Sequence, residues 1–225
     1  MTLSALEEML TKGHCSPELL DQFKTALRRS PKAMRPQHCY TTAAAMPANC
    51  FPQAKALIEY SLELEGSWLD RMRARHNLAD LYEKRGDYAA ALQNYRLALE
   101  AIDPEHQAKY TADFAARMLV CKLHLDDFTY SDDLRRLYEQ ARELDEFNRS
   151  FQKCLFYMSL AQIVLCLHDG DLPAARTAYE RASTMLRPDY EGPITALLKR
   201  KGHLESTGAT KASRAFLRRT ARKLR

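Results

Sequence analysis

The chain has 225 residues, 46% of them hydrophobic, and its 34 basic and 29 acidic residues leave a formal net charge of +5. That composition can bury a core, which excludes an intrinsically disordered chain. Only seven glycines and nine prolines punctuate it, so helices joined by short turns are favoured over a many-stranded sheet.

Apolar spacing near 3.6 residues predicts twelve helices in chain order. The first four span 2–12, 17–29, 36–46 and 52–64, with Pro17, Pro36 and Pro52 setting helix ends. The next two, 68–85 and 88–102, are parted by Gly86 and Asp87: the glycine closes one helix and the aspartate caps the next. Helices 106–125 and 132–146 flank Asp126-Asp127-Phe128 and the extra Thr129-Tyr130-Ser131. Helix 149–168 is the most apolar, but its greasy stretch from Cys154 to Leu167 is broken by Ser159 and Gln162. It falls short of the roughly 20 residues needed to cross a bilayer. Helix 172–186 follows the turn Gly170-Asp171-Leu172, and 193–204 and 210–224 complete the set. Twelve helices make six antiparallel hairpins. The organisation read from the sequence is one helical repeat domain over 1–204 and a basic C-terminal helix over 205–225 that caps it.

A helix-face triplet at spacing 4 then 3 recurs as Leu19/Phe23/Ala26, Ala54/Ile58/Ser61, Ala91/Tyr95/Ala98, Leu134/Tyr138/Ala141 and Ala175/Tyr179/Ala182. Successive copies begin 35, 37, 43 and 41 residues apart, the range of a helical-hairpin repeat. In the clearest copies, small residues let a neighbouring helix approach and the aromatic between them fills the gap. Tyr95 is therefore expected in the core.

The copy from Met72 to Pro104 reads Asn77-Leu78-Ala79-Asp80-Leu81-Tyr82, then Gly86-Asp87-Tyr88, then Ala91, Tyr95, Ala98 and Pro104. It resembles a tetratricopeptide repeat, with Leu78, Ala79 and Tyr82 in the first-helix signature and Pro104 ending the second helix. Arg75 stands where the family often has Trp. The resemblance implies an all-α, right-handed solenoid of about five to six antiparallel hairpins, in which the first helix of each hairpin lines a concave groove. It places Arg73, His76, Asn77, Asp80 and Lys84 on the groove face, with Asp113 and Arg117 as neighbours from the next repeat. It also implies a protein or peptide ligand. A carboxylate-terminated peptide is disfavoured, because Asp80 would repel it.

Signatures of phosphate cradles, dinucleotide sites, zinc proteases and serine hydrolases are absent. The expectation is no enzyme, no catalytic residue and no cofactor. The neighbours His14-Cys15 and His38-Cys39 match no compact zinc spacing, so no metal site is assigned. The pairs Glu7/Glu8, Asp126/Asp127 and Asp132/Asp133 read as charges near helix starts rather than acid-base dyads. Met1 to Glu8 carries no basic start followed by an apolar run, which predicts no secretory signal and a cytoplasmic location. In that compartment Cys15, Cys39, Cys50, Cys121, Cys154 and Cys166, with no CxxC pair, read as small buried hydrophobes rather than a disulfide framework.

From Lys199 to Arg225 ten basic residues face a single acidic one, Glu205. In the last helix Leu217, Ala221 and Leu224 form a narrow apolar stripe, opposite Arg214, Arg218, Arg219, Arg222, Lys223 and Arg225. A capping helix docked on that stripe is the first reading. A phosphate-contacting arm of a nucleic-acid-associated regulator is the alternative.

Overall fold

The computed structural model describes residues 1–125, 127, 162, 163, 165, 166, 169–171, 173–175, 177 and 178. Among the described residues the structure is helical and contains no strand, in line with the periodicity. It comprises two compact units, Met1–Phe114 and Ala115–Arg225.

The first unit contains α1 (Leu3–Thr11), α2 (Pro17–Leu27), α3 (Arg35–Ala45), α4 (Phe51–Glu63), α5 (Trp68–Lys84), α6 (Tyr88–Glu100) and the start of α7 (Pro104–His124). Polar side chains set most of the starts. Thr2 and Ser16 accept the backbone N–H groups of Ala5 and Leu19 at 3.3 and 3.2 Å, and Asp87 accepts that of Ala90 at 3.1 Å, each satisfying an orphan donor of the first turn. Two expectations about helix ends change. Glu7 and Glu8 lie well inside α1: Glu8 pairs with Lys12, whose hydrogen bond holds its carboxyl below the usual range, and Glu7 meets His38 Nδ1 at 2.7 Å across to α3. Pro104 does not end α6, which stops at Glu100. It is the first residue of α7, a position where a missing N–H costs nothing.

The helices pack as neighbouring hairpins, α1 with α2, α3 with α4 and α5 with α6. Consecutive first helices also touch, α1 with α3 and α3 with α5, and α4 lies against α5. The sequence triplets explain this closeness. Leu19 and Phe23, then Ala54, Ile58 and Ser61, then Ala91, Tyr95 and Ala98 are all buried. Phe23, Leu6, Leu10, Leu27, Leu57 and Ile58 are almost wholly removed from water, and each such side chain contributes about 1.5–3 kcal/mol of transfer free energy. Phe51 of α4 meets Tyr82 of α5 edge-on at 5.6 Å, with the Arg85 guanidinium 4.4 Å above the Phe51 ring.

One expectation about the cysteines is overturned. Cys15 and Cys50 form a disulfide, their Cα atoms 5.9 Å apart. Sequence spacing alone gave no sign of it, because the two residues belong to different hairpins. The turn after α1 lies against the loop before α4, so that a Cβ added to Gly13 would come within 3.2 Å of Pro47 Cγ. Closing a chain segment of 35 residues stabilises the fold by restricting the unfolded chain, between about 3 and 4.7 kcal/mol. Cys39 is free and buried as expected, Cys121 is buried as expected, and Cys166 is free and half-buried.

Within the second unit Phe114's successor Ala115 and then Leu119, Val120 and Cys121 of α7 are buried, as are Ile163, Ala175 and Ala178. The turn at 169–171 repeats the one between α5 and α6. Gly170 has φ +78° and Gly86 has φ +76°, the left-handed conformation that glycine adopts without penalty. Asp171 N–H donates to Cys166 C=O at 2.8 Å and Asp87 N–H to Tyr82 C=O at 3.0 Å, the six-residue closure of a Schellman turn. Asp171 then caps Ala174 N–H at 3.0 Å, as Asp87 caps Ala90. The fourth triplet, the predicted helices 132–146, 193–204 and 210–224, and the basic tail lie outside the described residues.

Candidate functional site

Helix α5 carries most of the residues that the repeat resemblance selects, and its start is fixed by a capping box. Ser67 Oγ accepts Asp70 N–H at 3.2 Å while Asp70 Oδ2 accepts Ser67 N–H at 3.0 Å. Gly66 lets the chain pass close to α3, where an added Cβ would meet Pro36 Cγ at 3.3 Å. One face of α5 is then buried through Met72, Ala74, Leu78, Ala79 and Leu81.

The selected residues divide into two groups. Arg73 and Lys84 are exposed, while His76, Asn77 and Asp80 are half-buried and engaged with other helices. Arg73 lies beside Tyr40 of α3, whose hydroxyl raises the guanidinium pKa by hydrogen bonding. Burial pushes the Tyr40 phenol up in turn, and that hydroxyl donates to Asp70 Oδ1 at 3.3 Å. Asn77 donates its amide to the Tyr40 carbonyl at 3.1 Å, so α3 and α5 are joined by both ends of one tyrosine. The His76 ring stands edge-on to Phe114 at 5.7 Å and tilted against Tyr95 at 5.9 Å. Asp80 Oδ1 and Glu83 Oε2 lie 2.6 and 2.7 Å from the Tyr95 hydroxyl, and the single phenolic hydrogen serves both. Asp113 and Arg117 are half-buried on α7, and the basic C-terminal residues Arg214 to Arg225 lie outside the described residues.

A group that the sequence reading left out stands at the N-terminal ends of α5 and α7. Trp68, the chain's one tryptophan, is half-buried and meets His106 edge-on at 5.0 Å and Tyr110 at 6.2 Å. His106 is exposed and Lys109 Nζ lies 5.7 Å from the Tyr110 ring centre. Tyr110 also acts electrostatically on Arg73. The signal was available in principle, since His106 and Tyr110 are four apart and share one helix face. Nothing in the sequence brought them to Trp68, 38 positions before His106.

The patch offers aromatic edges, a guanidinium and an ammonium on a preformed helical support. That chemistry suits contact with another macromolecule. No known protein family, curated protein or solved structure matches this chain.

Proposed function

We propose that the chain is a non-catalytic interaction module of the cytoplasm, an adaptor or scaffold built as a right-handed, tetratricopeptide-like solenoid that holds a peptide or partner protein in its concave groove. The observation that carries this reading is the cluster of Trp68, Arg73, His106 and Tyr110, which sits on the same two helices as the residues selected by the repeat resemblance. Aromatic and arginine side chains dominate binding energy at protein interfaces, since they offer large contact area at small entropic cost. The contacts of α1 with α3 and of α3 with α5 support a continuous row of first helices, and the recurrence of the Gly86-Asp87 turn at Gly170-Asp171 supports a repeat.

In this reading Trp68 and Tyr110 anchor the partner, Arg73 and Lys84 steer it, and His76, Asn77 and Asp80 hold the helices at the spacing that keeps the surface open. The test is capture of partners from source lysate by the wild type and by Trp68→Ala/Tyr110→Ala, with bound proteins identified by mass spectrometry. A principal partner lost by the double variant at unchanged helicity supports the reading. Retention of that partner overturns it.

A further inference from the structure

The disulfide has a chemical asymmetry that a purely structural bridge does not need. Cys15 lies in the turn before α2 and is half-buried, whereas Cys50 is 2% exposed. An incoming thiolate therefore meets less protein in its way at Cys15 than at Cys50. Cys50 is also the N-cap residue of α4, a helix of 13 residues whose start has no side-chain hydrogen bond and whose second residue is Pro52. A sulfur released there sits at the positive end of the helix dipole, which offsets part of the cost that burial puts on the anion. The sulfur of the less buried residue is thus the one attacked, and the sulfur at the start of α4 the one that leaves. Cys39 is as buried but lies inside α3, away from a helix start, and burial pushes its thiol up to about 12, so it holds almost no thiolate at neutral pH.

We propose that Cys15–Cys50 is a reversible redox clasp, opened by a small cellular thiol such as glutathione, that fastens the α1–α2 hairpin to the start of α4. In the first step the glutathione thiolate attacks Sγ of Cys15, a mixed disulfide forms there, and the S–S bond breaks with its electron pair leaving on Cys50 as thiolate. In the second step another glutathione thiolate attacks the glutathione sulfur. Oxidised glutathione departs and Cys15 is released and protonated. Two thiols supply the two electrons that reduce the bridge. The opened state leaves α1 and α2 held by packing on α3 and α4 and by the Glu7–His38 contact, while the Cys50 thiolate caps α4.

The test uses the oxidised full-length chain in millimolar glutathione, quenched at early times in acid, alkylated with N-ethylmaleimide and mapped by mass spectrometry. Glutathione should be found on Cys15 and the maleimide on Cys50, with a preference of at least about tenfold over the reverse. Hydrogen exchange should then accelerate roughly tenfold or more across α1 and α2 and stay unchanged across α5 and α6. Cys50→Ser, which keeps an oxygen at the N-cap but cannot form the bridge, should show the same exchange pattern as the reduced wild type. If that variant does not fold, the reduced wild type carries the comparison. Glutathione found mainly on Cys50, a bridge that opens only as the helical circular dichroism is lost, or exchange that accelerates equally in α5 and α6 would each overturn the proposal.

Discussion

The α5–α6 hairpin and the α1–α2 hairpin solve the same packing problem with different chemistry. Between α5 and α6 the cross-links are polar and noncovalent: Tyr95 reaches Asp80 and Glu83, and Arg75 Nη1 donates to Asn94 Oδ1 at 3.2 Å while Asn94 donates to the Ala90 carbonyl at 2.9 Å. The α1–α2 hairpin is aliphatic, through Leu6, Leu10, Leu19, Leu20 and Leu27 around Phe23, and its attachment to the next hairpin is covalent. Directional hydrogen bonds fix a single register for α5 against α6, whereas the bridge adds a covalent tie between the α1–α2 turn and the start of α4 to the packing and the Glu7–His38 contact already there. Hydrogen-bonded and covalent devices therefore act as substitutes along one chain, and only the second responds to a reductant.

The comparison can be broken most forcefully at Tyr95, which is fully buried and joins the two helices by ring and hydroxyl together. Tyr95→Ala should cost about 3–5 kcal/mol, the range for removing a buried large aromatic. Chemical denaturation measures it, and an unchanged midpoint would contradict the central place given to this residue. A smaller effect separates the two hairpins at their turns. Gly86→Ala should cost about 1–2 kcal/mol because the left-handed φ penalises any Cβ, while the nearest atom, Tyr88 Cε2 at 3.9 Å, leaves room. Gly13→Ala adds a 3.2 Å approach to Pro47 to its φ of +94° and should cost more. Equal melting temperatures for the two variants would dissolve the distinction.

The smallest effect is chemical rather than energetic. Desolvation favours the neutral thiol of Cys39 and holds its pKa at about 12. In the reduced, folded protein its alkylation should therefore stay slow at pH 8 and climb only as pH approaches that value, while Cys15 is labelled readily. Rapid labelling of Cys39 at neutral pH, without unfolding, would show that the α3 core is open to solvent.

Much of the helical architecture was legible because it is local. The triplet with Tyr95 at its centre needs only one helix to be seen, and Gly86-Asp87 states a turn in two residues. Long-range features were not legible. Cys15 and Cys50 have no periodic relation, and they meet only because two turns lie together. The half-buried state of His76 and Asp80 was missed for a related reason: their spacing of four shows that they share a face, but not that Tyr95 and Phe114 cover it. Trp68 and Tyr110 were likewise invisible as a pair until α5 and α7 had been placed. Pro104 was read as a stop signal, although the same missing N–H serves equally well at a helix start.

The pattern of helix contacts in the first unit also sets an order of events in time. Each substantial contact joins helices that are adjacent in the chain or separated by one other, α1 with α3, α2 with α4, α3 with α5. Loop closure over such short distances is entropically cheap, and chains dominated by near contacts fold fast. A nascent chain emerging from the ribosome finds each helix's partner already made or only a few dozen residues away. The first unit can thus assemble progressively during synthesis, with Cys15 waiting beside a formed hairpin when Cys50 arrives.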